Sequence, residues 1–167
     1  MNDAHLHMVV NHFPIIGTIF GLGILITGLL LNNKAIKNVA FSLFIVAAVF
    51  TFFSMNTGEG AEEMVEDMPS VGENIIHEHE EIAEKLALVL YLLGAVSIAG
   101  MYLNFKNHSK AKLVSFVAIT IATVGVFLAQ QVGTSGGEIR HTEIRANGIT
   151  GYEQNAKTSE AGEEHDE

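Results

Sequence analysis

Residues 13–31 read FPIIGTIFGLGILITGLLL, 19 positions without one charged side chain. At 1.5 Å of rise per residue, a helix of about 20 apolar residues crosses the roughly 30 Å of hydrocarbon in a bilayer. Three further blocks share the property: Val39–Met55 over 17 residues, Leu86–Phe105 over 20 and Leu113–Val132 over 20. A soluble bundle would give each helix a charged stripe toward water, and these blocks carry none. The sequence therefore predicts an all-α membrane protein. Its four spanning helices fall at about 8–32, 38–56, 80–105 and 111–132 within a domain of residues 1–145.

Between the blocks the charges are sorted by sign. The chain has 167 residues, 9 Lys and Arg against 19 Asp and Glu, and a net charge of −10. Lys34 and Lys37 join the first two blocks, and Lys106, Lys110 and Lys112 join the last two, with no acid in either connection. The acids are Asp3, ten from Glu59 to Glu84 and eight from Glu138 to Glu167. Short lysine-bearing loops stay in the cytoplasm. The expected topology is thus a multi-pass bacterial plasma-membrane protein, an up-down bundle with both termini and the acidic 57–79 loop on the extracytoplasmic side. That loop reads as a short helix at 59–67 and a break at 69–72. Residues 146–167 are polar and acidic, a composition that predicts disorder.

Composition also excludes chemistry. An acidic chain lacks the basic surface that nucleic acid requires. With no cysteine, disulfides, thiolate metal sites, iron–sulfur clusters and covalently attached haem are ruled out. The first block is preceded by Asn2, Asp3, His5 and His7 rather than by basic residues, so it is expected to stay as a spanning helix. No Asp, Glu, Lys or Arg interrupts any block, which argues against an ion-coupled pump. No nucleophile–base pair can be named, which favours an electron-transfer or accessory role over catalysis. Gly17-x-x-x-Gly21 and Ala95-x-x-x-Ala99 supply small-residue packing faces. Gly58-x-Gly60 and Gly136-Gly137 read as turns at helix ends.

The histidines cluster. Of eight, His5, His7, His12, His77, His79 and His141 fall at the acidic ends of the helices. His5 and His12 are seven apart on a face that continues through Ile16 and Ile19, and Pro14 is expected to kink the helix just beyond. His79 continues through Ile82, Ala83, Leu86 and Leu90, whereas His77 continues through Glu80, Glu81 and Glu84. His12 and His79 are therefore the expected inward pair, placed across a four-helix bundle as the axial ligands of a b-type haem would be. His5 and His141 are the substitutes or a second pair. A competing metal site for zinc or non-haem iron draws on Glu138-x-x-His141 with His77 and Glu81 from the third helix.

The opening His5-Leu6-His7 followed by Asn11-His12-Phe13-Pro14-Ile15 resembles the start of a bacterial four-helix membrane domain family. Thr57-Gly58, a histidine leading into the third helix and Gly136-Gly137-Glu138 match its further landmarks, over about residues 5–141. The chain departs from that family at Met8, where Pro is usual, and at Asn11, where Val is usual. The resemblance implies a redox-associated membrane protein, since some family members are joined to cytochrome or iron–sulfur domains.

Three roles follow as expectations. The first is electron transfer through haem near the outer face, with an extracytoplasmic cytochrome or a larger respiratory complex as partner. The second is Glu/His metal binding or sensing. The third is a cofactor-free accessory subunit of a larger membrane complex, or a homo-oligomer, whose helices contact lipid and neighbours.

Overall fold

The protein is described here as a computed structural model covering residues 2–66 and 71–145. It consists of α1 (Asp3–Val10), α2 (His12–Leu30), α3 (Lys34–Glu62), α4 (Glu73–Phe105), α5 (Ala111–Arg140) and a single 3-10 turn at Thr142–Ile144. No strand occurs among the described residues. Four stretches are long and apolar enough to cross a membrane: Asp3–Leu30, Lys34–Glu62, Glu73–Phe105 and Ala111–Arg140. Each helix packs on the next, and α5 closes the ring against α2 while α1 lies on α3.

Local chemistry sets the helix ends. Asn2 caps α1 by accepting from the His5 N–H at 3.0 Å, and Asn33 caps α3 by accepting from Ala35 and Ile36. Pro14 would clash with the carbonyl four residues earlier in a continuous helix. The chain breaks at Asn11 instead, so that Pro14 falls in the first turn of α2, where no backbone donor is needed. The tight connections at the lysine-bearing end turn on Asn32 (φ 48) and Asn107 (φ 53), a residue type that tolerates the left-handed region. The Lys34 ammonium donates to the Asn107 side chain, tying the two connections together.

The buried residues repeat in alternating steps of three and four. On α2 they are Pro14, Thr18, Gly21, Leu25 and Gly28. On α4 the series runs through Leu86, Leu90, Leu93, Ser97, Gly100 and Asn104, and on α5 through Ala111, Ser115, Ala118, Ala122, Gly125 and Ala129. A mean repeat of 3.5 is that of helices in a left-handed supercoil. The seams are built mostly of small residues, and two phenylalanines of α3 fill the room they leave. A Cβ at Gly21 would lie 2.5 Å from the Phe44 ring, and one at Gly100 would lie 2.5 Å from the Phe41 ring. The buried hydroxyls of Thr18, Thr51, Ser97 and Ser115 each bond a carbonyl four residues back in their own helix, at 2.7–2.9 Å. Thr120 and Thr123 also bond carbonyls four residues back in their own helix.

Large apolar side chains face outward instead: Leu30 is 81% exposed, Leu88 71% and Phe127 62%. Such a surface suits lipid and would be a severe liability in water.

Three helices outrun their expected ends. α3 continues through Thr57, Gly58 and Gly60 to Glu62, α4 starts at Glu73 rather than near 80, and α5 continues through Gly136 and Gly137 to Arg140. The glycines read as turns lie inside the helices, and at Gly60 and Gly136 a neighbour occupies the place of the missing side chain. Asp3 packs on Gly60 and His79 on Gly136. Residues 57–62 and 73–79 of the expected loop thereby join α3 and α4, while 67–70, where the expected short helix ends and the break begins, and the acidic tail of 146–167 lie outside the described residues. At 1.5 Å per residue, helices of 29 to 33 residues exceed the roughly 30 Å hydrocarbon thickness. The excess lies at the acid-bearing end.

Substitution should separate the filled from the open glycines. Gly21→Ala and Gly100→Ala are expected to lower stability by about 1–3 kcal/mol through overpacking. Gly23→Ala, which meets nothing within 4 Å, should leave stability unchanged or raise it by up to about 1 kcal/mol. Thermal unfolding in detergent measures the difference.

Candidate functional site

Stepping back along the seams by one more heptad leads to the acid-bearing end. Gly28, Gly21 and Pro14 are seven apart, and the next step is His7; Gly100, Leu93 and Leu86 are seven apart, and the next step is His79. Both imidazoles are half-buried, and each is close enough that charge on His7 bears on His79. Thr51 of α3 leads on to Ser54 and Gly58, and Ala129 of α5 leads on to Gly136. The four seams thus deliver two histidines and the small residues beside them to one level of the bundle.

Hydrogen bonds hold both rings through Nδ1. His7 Nδ1 lies 3.1 Å from the Ser54 carbonyl and 3.2 Å from Thr57 Oγ1. A carbonyl only accepts, so Nδ1 carries the proton. The Thr57 hydroxyl donates to the carbonyls of Phe53 and Ser54, leaving its oxygen free to accept from His7. His79 Nδ1 lies 2.9 Å from Ser135 Oγ, and that hydroxyl in turn donates to the Val132 carbonyl at 3.3 Å. On His7, Nε2 is therefore a lone pair, and among the described residues it has no hydrogen-bond partner. Fixing a histidine through Nδ1 while Nε2 is presented is the arrangement by which proteins aim an imidazole at a metal.

The surroundings add to this. Gly58 lies beside the His7 ring, with a would-be Cβ 3.8 Å from Cε1, and Gly136 beside the His79 ring at 3.0 Å. Any larger residue at 136 would push the ring. One turn below His7, the Asn11 side-chain oxygen is buried without a partner. Asp3, Glu59, Glu62 and Glu80 form an acidic rim: Asp3 packs on Gly60, and Glu59 and Glu80 act electrostatically on Glu62.

The other histidines go elsewhere. His12 is exposed, with its Nδ1 turned back to the Met8 carbonyl at 2.5 Å, so the structure does not bring it to His79. His5 is exposed on α1. His77 pairs with Glu81 at 3.5 Å on the solvent face of α4, and Glu81 also meets Lys85 at 3.3 Å. Glu138 is half-buried with its backbone oxygen taken by Arg145 Nε at 2.7 Å. His141 ends α5 in an exposed pair with Glu143 at 2.9 Å. The Glu143 carboxyl is held below the usual carboxylate range by its own backbone N–H and by His141. Among the described residues no three His, Asp or Glu converge as a metal cage, and Glu138, His141, His77 and Glu81 are not gathered into one.

His7 was the residue that apolar continuity missed. Ile16 and Ile19, which marked the supposed inward face, are 49% and 48% exposed. The signal for His7 was the small residues seven and fourteen positions on, not the large ones.

No protein family, no curated protein and no solved structure matches the chain.

Nitrogen NMR of histidine-labelled protein in micelles should show the Nδ1–H tautomer for His7. Ser135→Ala is expected to shift only the His79 signal, and Gly136→Val to displace the same ring.

Proposed function

We propose that the chain is a small bacterial plasma-membrane protein that binds b-type haem through His7 and His79 and carries electrons at its extracytoplasmic face. In this reading the bundle runs up-down, the lysine-bearing connections lie in the cytoplasm, and both termini lie outside. The observation that carries the proposal is the half-buried histidine pair, each ring held through Nδ1 with Nε2 presented.

The donor set fits the group. A porphyrin supplies four of the six ligands of iron, so the protein need supply only two, one from each side. Zinc or non-haem iron bound by protein alone asks for three or four.

Bound haem would supply a one-electron couple. The protein's own residues do the rest. Ser54 and Thr57 orient His7, and Ser135 orients His79. Their bonds to Nδ1 raise the basicity of the opposite nitrogen. The acidic rim of Asp3, Glu59, Glu62 and Glu80 would draw a basic partner, such as an extracytoplasmic cytochrome, toward this end.

Protein purified after expression with ample haem is expected to show a reduced b-type α-band with one iron per site. His7→Ala and His79→Ala should each abolish that band, whereas His12→Ala should keep it. A colourless protein under those conditions, or equal loss in all three variants, would overturn the proposal.

A further inference from the structure

The lysine-bearing end carries a second set of groups that the histidine site does not use. Lys37 is only 5% exposed, and its stem packs on Gly28, where a Cβ would lie 2.8 Å from Lys37 Cγ. Among the described residues the Lys37 ammonium has neither a hydrogen-bond nor an ion-pair partner. The charges that act on it are those of Lys34 and Lys112, both of its own sign. Neither short connection holds an acid to balance them. At the same end Asn104, 3% exposed, donates to the Asn38 side chain at 2.9 Å and leaves its own oxygen buried without a partner.

A lysine whose stem is buried and whose ammonium meets only like charges favours an anion from outside the chain. What kind of anion follows from the neighbouring surface. Lys112 stands at the mouth of an apolar groove between α2 and α5, lined by Ile26, Leu29, Leu30, Phe116 and Ile119. Cations at one end of an apolar furrow match a phosphate joined to an acyl chain, and the lysine stems can reach along apolar surface to place their charge at the headgroup level.

We infer that this end binds an anionic phospholipid, its phosphate held by Lys37 and Lys112 and one acyl chain lying in the groove between α2 and α5. The site needs only that the four long helices span a membrane, and it is independent of any haem.

Native mass spectrometry of the full chain in detergent tests it, with phosphatidylglycerol, phosphatidylcholine and inorganic phosphate as probes. Phosphatidylglycerol is expected to be retained in preference to phosphatidylcholine. Lys37→Met, which keeps the stem on Gly28, and Lys112→Gln should each weaken its binding about five-fold. Lys85→Gln, at the opposite end, should change nothing. Because Lys112 is exposed, its variant keeps the test decisive even where Lys37→Met impairs folding. Equal retention of both lipids, or binding that ignores Lys112→Gln, would overturn the inference. Displacement of the lipid by inorganic phosphate alone would also overturn it, showing a free-anion site.

Discussion

The seating of Phe44 in the gap at Gly21, and of Phe41 in the gap at Gly100, sets the distance between helices on which the rest of the structure depends. In lipid no hydrophobic force drives helices together, because the tails are as apolar as the side chains. What remains is close contact and the dispersion energy it brings. Small residues let the helices approach, and two fully buried rings of α3 fill the space. The seam hydroxyls add no cross-links, since each bonds within its own helix. They act as small side chains whose polar atoms are already satisfied.

The histidine site is a continuation of that seam. The spacing of seven runs from Gly100 to His79 along α4, and from Gly28 through Pro14 to His7 across the break at Asn11, so the small-residue pattern that marks the core also marks the two rings. Beyond the last core residues the helices run on into a stretch where side chains become polar. Ser54, Thr57 and Ser135 can there hold the imidazoles without burying an unpaired group. The opposite end uses the same seam differently. There Gly28 accommodates the stem of Lys37, and the charge is left for something outside the protein.

Much of this was legible in the residues. Four uncharged blocks announced the helices, and the sorting of lysines from acids distinguished the two ends. His79 was placed inward on its own helix, and it is half-buried. The inward face of the first span was misread for a physical reason. In water the large apolar face of a helix points into the core, but in lipid it points out. Ile16 and Ile19 therefore mark the outside, and His12 goes with them. Helix ends were missed for a related reason. Gly58, Gly60, Gly136 and Gly137 look like breaks when read locally. Only the neighbours, Asp3 against Gly60 and His79 against Gly136, show what glycine makes room for at those two positions.

The central claim is that His7, rather than His12, stands opposite His79. The chain has no cysteine, so paired cysteines can be introduced without background. A short bifunctional thiol reagent applied to His7→Cys/His79→Cys and to His12→Cys/His79→Cys in membranes measures the geometry directly. Rapid linkage of the first pair and little of the second is the predicted result. Linkage of the second pair in preference to the first would contradict the register of the seam and the site built on it.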